Sequence, residues 1–143
     1  MARMPAISEV VVDRRVYDRF KRRAFDHYPK EYAEQLWGRV DGTRALVDIF
    51  QPVELTKQTR NEVDFDFDQP CGTEHSGLTL LGSIHTHPAE FFGTTPSDDD
   101  IKAAAVEREI VWGICAIRKT AKRRFAACRF WSAASEVEFV VAE

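Results

Sequence analysis

The sequence predicts an α+β domain, and three observations predict it: an amphipathic helical stretch near the start, a capped helix start near residue 97, and strand-like segments before and after that second helix. Residues 13–28 place Val16, Tyr17, Phe20, Ala24 and Phe25 at three- and four-residue steps among Arg and Lys, and Pro29 ends the helix. Residues 33–40 and 44–51 are β-type runs split by Asp41-Gly42, a hairpin signal. Residues 62–67 alternate Val63, Phe65 and Phe67 with acids, as a half-buried strand does. Pro, Gly and polar side chains make residues 68–77 a loop. Residues 78–87 form a dense apolar run ending in polar groups, which fits a buried strand whose end opens into a site. Ser97 then precedes Asp98, Asp99 and Asp100 and the apolar Ile101, Ala103, Ala104, Ala105 and Val106, giving an N-cap and acids in a first helical turn. Residues 109–117, 124–132 and 136–141 read as three closing strands. The order is helix, strands, central helix, strands, without regular βαβ alternation.

The 143 residues suit one ordinary domain over residues 1–143, and a second full domain does not fit. The formal charge of -3 gives no general reason to expect nucleic acid or an anionic membrane as partner. Lys21-Arg22-Arg23 falls on a helix, and Arg118-Lys119 with Lys122-Arg123-Arg124 falls near a hairpin turn. Basic residues in such places are solvated, or they steer an acidic protein partner. The N-terminus lacks an apolar signal region and no apolar run reaches the about 18 residues a membrane span needs, so a cytoplasmic protein is expected. Cys71, Cys115 and Cys128 are odd in number and far apart, and they read as reduced thiols, the last two in core strands.

The chemistry concentrates in His85-Thr86-His87. On a strand, residues two apart share a face with Cα atoms about 6.5 to 7 Å apart, so both imidazoles can reach one metal ion. An aspartate from the run Asp98 to Asp100, at the start of the next helix, can supply a third ligand. Two imidazoles and a carboxylate suit Zn²⁺ with one position left for water, which points to catalysis. The plain alternative is polar residues at a strand end beside acids that only cap a helix. Thr86 should face away from the metal, and His27 and His75 lack a partner at ligand spacing and read as surface or loop histidines.

Gly82-Ser83-Ile84-His85-Thr86-His87-Pro88, followed by Pro96-Ser97-Asp98-Asp99-Asp100-Ile101, resembles the signature of the JAMM (MPN-plus, JAB-type) zinc metalloproteases in a minimal, prokaryotic-type form. Pro29-Lys30-Glu31, with Gly38 seven residues after the glutamate, is similar to the family's earlier element, and the likeness spans residues 28–111. It implies the JAB/MPN fold, related to the cytidine deaminases: a curved, mostly antiparallel sheet flanked by an N-terminal and a central helix. The deaminases' own H-x-E and P-C-x-x-C elements are absent. The loop after His87 is about two residues longer than the family's, so counting selects Asp98 as third ligand while the P-S-x-x-D-I register selects Asp100. Asp100 is preferred, because loops absorb insertions more readily than a helix start changes phase. Glu34 and Gln35 also depart from the family's small and aliphatic residues, yet the distances to Pro29 and Gly38 favour Glu31 over Glu34.

What the resemblance implies is a zinc ion on His85, His87 and Asp100 that activates water, Glu31 as general base, and Ser97 acting on the oxyanion beside its alternative as an N-cap. The implied substrate is an amide or isopeptide bond after the C-terminal tail of a ubiquitin-like protein, with activating or conjugating enzymes as pathway partners. Release of an amino acid from a ubiquitin-like sulfur carrier and a metal-free binding scaffold are the competing readings. Phe91 and Phe92 either anchor the loop or wall the substrate groove.

Overall fold

The computed structural model describes residues 5–70, 77–89 and 94–143, so Cys71, His75, Phe91 and Phe92 lie outside the described residues. In chain order the elements are β1 (Glu9–Asp13), α1 (Arg14–His27), β2 (Ala33–Asp41), β3 (Arg44–Pro52), β4 (Leu55–Gln58), β5 (Val63–Phe65), β6 (Thr79–Pro88), α2 (Asp98–Val106), β7 (Trp112–Lys119), β8 (Arg124–Ser132) and β9 (Ser135–Ala142). Asp13 caps α1 by accepting the Arg15 N–H at 2.8 Å. Its apolar stripe, Tyr17, Phe20, Ala24 and Phe25, is buried in the main core with Val10, Val12, Leu36, Phe50, Leu81, Ile84, Cys115 and Phe130. Each large side chain there contributes about 1.5–3 kcal/mol.

Where a curved, mostly antiparallel sheet was expected, seven strands close into a barrel in the order β1, β3, β2, β6, β7, β8, β9. Strand β1, absent from the sequence reading, makes the closure by pairing in parallel with both β3 and β9. Antiparallel pairings join β2 to β3 and β6, and β8 to β7 and β9, while β6 and β7 run parallel across the α2 crossover. Closure removes the free edges that a curved sheet would expose. The segment 62–67 is also shorter as a strand than expected, since only Val63–Phe65 is extended, paired with β4 in a separate two-stranded sheet. The chain turns where the Asp66 carboxylate accepts the Asp68 N–H at 3.2 Å and the Gln35 amide holds the Phe67 carbonyl at 2.8 Å.

Strand β7 is buried on both faces, as parallel strands with covered faces are. Cys115 and Ile117 enter the main core, while Trp112 and Ile114 form a second cluster with Ala104, Ile101 and Trp131 that seats α2. The preceding strand accommodates this layer through Gly82: a Cβ there would lie 1.6 Å from the Val111 carbonyl oxygen. Gly38 is constrained in the same way, 1.8 Å from the Leu46 oxygen, at the register shift between β2 and β3. Gly82→Ala must displace backbone, so a loss of roughly 3 kcal/mol is expected in urea unfolding, with a fall in Tm. An unchanged unfolding midpoint would contradict the close approach.

Candidate metal centre

Period-two geometry at the end of β6 puts Ser83, His85 and His87 on one face, while Ile84 and Thr86, both without exposed surface, point to the other. The imidazoles of His85 and His87 approach with Nε2 atoms 3.1 Å apart. The β6 to β7 crossover brings the start of α2 over the carboxyl end of β6, the position at which parallel α/β units bind ligands. Ser97 is the N-cap of α2, and its Oγ accepts the Asp100 N–H at 3.1 Å while Asp100 Oδ2 accepts the Ser97 N–H at 2.9 Å. This capping box fixes the Asp100 side chain so that Oδ1 lies 3.3 Å from His85 Nε2 and Oδ2 lies 4.0 Å from His87 Nε2. Ser97 therefore has the N-cap role in the structure, with its hydroxyl hydrogen still free to be donated. Asp98, the other candidate, does not line the cleft around these residues, whereas Ser97 and Asp100 do.

Glu31 approaches from the opposite side, two residues before β2, and is 4% exposed. Its backbone is clamped: Glu31 N–H donates to the Thr59 carbonyl at 2.7 Å and its carbonyl accepts from Gln58 Nε2 at 2.9 Å. Tyr32 is held to β6 by a reciprocal pair, its N–H donating to Thr86 Oγ1 at 2.9 Å and its carbonyl accepting the Thr86 N–H at 2.8 Å. The inward face of Thr86 thus supports the glutamate segment. One donor atom each from Glu31, His85 and His87 falls within 4.8 Å of the others, a group that could hold a metal ion. Glu34 takes no part. It is fully buried toward α1, gripped by Arg23 at 2.6 and 2.8 Å and by the Tyr32 hydroxyl. His27 is exposed and stacks on Tyr32 with ring centroids 4.2 Å apart.

Burial pushes the Glu31 carboxyl up to about 7, opposed by His85 and reinforced by Asp100 and Glu62. Burial also works to raise Asp100, but its bond and charge interaction with His85, the Ser97 N–H and His87 bring it down to about 2. For His85, burial disfavours the charged ring, yet Asp100, Glu31 and Glu109 outweigh it and the pKa rises. The site therefore concentrates negative potential on the two imidazoles. A tetrahedral zinc ion with ligand bonds near 2.05 Å separates adjacent donor atoms by about 3.3 Å. The 3.1 Å between imidazole nitrogens and the 3.3 Å from His85 to Asp100 are close to that edge, while the 4.0 Å from His87 to Asp100 exceeds it, so the donor set suits zinc in chemistry and in two of its three edges.

The centre lies in a cleft of about 760 Å³ whose walls include Val63, Asp64 and Phe65 of β5, Ala103 of α2, and Ser83, Glu109 and Trp112. Ser83 and Glu109 were not singled out from the sequence. Ser83 Oγ donates to Glu109 Oε1 at 2.6 Å, and burial raises the Glu109 carboxyl to about 7 against the Ser83 hydrogen bonds. The signal for Ser83 was its even spacing from His85. Glu109 carried only its place before an apolar run, where the strand was expected to begin but Trp112 opens it. Thr86→Val is expected to cost about 1–3 kcal/mol, since it leaves the buried Tyr32 N–H without an acceptor while keeping side-chain shape. Chemical denaturation checks this, and a neutral result would remove Thr86 from the support of Glu31.

The family model described as prokaryotic homologs of the JAB domain matches residues 13–133. A search of the curated proteins finds no match. Among solved structures, a protein from Desulfitobacterium hafniense solved in solution superposes with a TM-score of 0.65 at 19% identity, covering 94% of this chain and 93% of that one. The crystal structure of a JAB1/MPN domain protein from Archaeoglobus fulgidus gives 0.61 at 17% identity, covering 92% and 98% respectively. At these identities the likeness carries the fold.

Proposed function

The chain belongs to the family of prokaryotic homologues of the JAB domain, and from that premise we propose that it is a zinc-dependent peptidase cutting the amide bond after the C-terminal tail of a ubiquitin-like protein. The observation that supports this most is the grouping of Glu31, His85 and His87 in one cleft, with Asp100 3.3 Å from His85 and 4.0 Å from His87. His85, His87 and Asp100 would hold the ion. Bound there, zinc supplies Lewis acidity and lowers the pKa of water to about 7. Glu31, already raised to about 7 by burial, takes the proton from the attacking water and returns it to the departing nitrogen. Ser97 keeps its cap through oxygen acceptance and donates its hydroxyl hydrogen to the oxygen on which negative charge develops.

The extended C-terminal tail of a modifier suits this cleft. Among the described residues β5 pairs only with β4, and its Val63, Asp64 and Phe65 line the cleft, where a tail can add as a further strand. The pathway's activating or conjugating enzymes would be the protein's functional neighbours.

The direct test is cleavage of fusions of ubiquitin-like proteins encoded beside this chain, with zinc added. Glu31→Ala and His85→Ala should both abolish turnover, and metal analysis should find zinc retained only in the Glu31 variant. Zinc loss from Glu31→Ala would move that carboxylate into the ligand sphere. Turnover that survives His85→Ala, or chelation, would refute a metal-dependent reaction. Ser97→Ala should lower kcat by about 10²-fold or more through the lost oxyanion donor, while loss of the cap costs about 1 kcal/mol of stability. Stopped-flow or endpoint kinetics beside thermal melts separates those two effects; a stability loss with unchanged kcat leaves Ser97 as a cap alone.

A further inference from the structure

Strands β7 and β8 set two cysteines directly opposite one another, Cys115 against Cys128, in a register that runs unbroken from Trp112 and Trp131 to Lys119 and Arg124. Opposed residues of antiparallel strands alternate between pairs that exchange backbone hydrogen bonds and pairs that do not. At the turn of this hairpin the Thr120 N–H donates to the Arg123 carbonyl at 2.8 Å, which makes Thr120 and Arg123 a hydrogen-bonded pair. Counted inward along the register, Cys115 and Cys128 fall at a non-hydrogen-bonded pair, where Cα atoms stand about 4.5 Å apart and side chains come closest. That spacing lies inside the range of about 4.4–6.8 Å that a disulfide spans. Both thiols are free in the structure.

The two side chains share one face of the hairpin. Cys115 has no exposed surface and belongs to the main core, while Cys128 packs against that core and keeps part of its surface accessible. Cys128 interacts with the Cys115 thiol and with the Tyr17 hydroxyl of α1. Burial pushes the Cys115 thiol well above its ordinary range, and the Lys21 ammonium, 4.5 Å from the centre of the Tyr17 ring, works in the other direction. The pair therefore combines an accessible thiol that can meet a small oxidant with a buried one whose reach is limited to its neighbour. Packing alone accounts for one buried cysteine, and gives no reason for a second at the position directly opposite.

We propose that Cys115 and Cys128 form a reversible dithiol–disulfide site whose oxidant is a peroxide. The Cys128 sulfur attacks the peroxide O–O bond and keeps one oxygen as a sulfenic acid, while the other leaves as water from hydrogen peroxide or as an alcohol from an alkyl peroxide. The Cys115 sulfur then attacks the Cys128 sulfur. The S–O bond breaks, its hydroxyl leaves as water with the Cys115 proton, and the S–S bond forms. Two thiols lose two electrons in all and one peroxide gains them. A small dithiol reverses the bond by thiol–disulfide exchange. The bond would clamp β7 to β8 beside α1, on the face of β7 opposite Trp112 and Ile114, which seat α2. The site needs no metal and stands whether or not the peptidase reading does.

Trypsin makes the test direct. It cleaves after Arg118, Lys119, Lys122, Arg123 and Arg124, between the two cysteines, and leaves Cys115 on peptide 109–118 and Cys128 on peptide 125–129. The full-length reduced protein is treated with a few equivalents of hydrogen peroxide, its remaining thiols are alkylated in denaturant, and the digest is read by mass spectrometry without reduction. Peptide 109–118 should appear joined to 125–129, with two of the chain's three thiols lost and both restored by dithiothreitol. The joined peptide should persist in Cys71→Ser. In Cys128→Ser, a half-buried position, it should vanish and Cys115 should stay open to alkylation. A thiol count unchanged by peroxide, a linkage through Cys71, or Cys128 carried on to the sulfinic acid beside an alkylated Cys115 overturns the proposal. So does a joined peptide that forms only when peroxide is added to protein already unfolded in urea.

Discussion

Two imidazole nitrogens 3.1 Å apart on one strand face constrain the whole site. Two lone pairs cannot face each other at that distance; a proton or a cation must lie between them. The surroundings supply the negative potential that draws one there, from Asp100 on α2, Glu31 before β2, and Glu109 below. Removing any of these carboxylates would weaken the same attraction. The fold accordingly spends its local order on them: a capping box for Asp100, and a clamp of four hydrogen bonds from Thr59, Gln58 and Thr86 for Glu31 and Tyr32.

Those supports come from the barrel itself. The parallel pairing of β6 with β7 forces a crossover, and the crossover delivers the N-terminus of α2 to the end of β6. Gly82 lets the chain entering β7 pass against β6 at a distance no side chain would permit, which keeps Trp112 and Ile114 in reach of Ala104. Packing under α2 therefore sets the height of Asp100 over the histidines. On the other side, the pair of half-buried Arg23 with fully buried Glu34 ties α1 to the strand that follows Glu31, with Tyr32 shared between that pair and Thr86.

The parts of this arrangement that are local in sequence were legible there. A period of two placed His85 and His87 together, Ser97 with an acid three residues on announced the cap, and the stripe from Val16 to Phe25 announced α1. What depended on distant pairing was not. The barrel closes through β1, whose five residues carry no sign of having parallel partners at both β3 and β9. Strand β4, Leu55–Gln58, is short and polar, and its hairpin with β5 shows only in three dimensions. Glu34 read only as a rival to Glu31 because its partner, Arg23, sits on the helix before it. Glu109 likewise gains meaning only from Ser83 and the cleft.

The most direct measurement is X-ray absorption at the zinc edge on the zinc-loaded protein, paired with the anomalous difference map of a zinc-soaked crystal. Two histidine nitrogens and one carboxylate oxygen at about 2.0–2.2 Å are expected, with the anomalous peak between His85 Nε2, His87 Nε2 and Asp100. Zinc bound elsewhere, or a coordination shell lacking both imidazoles, would contradict the central claim.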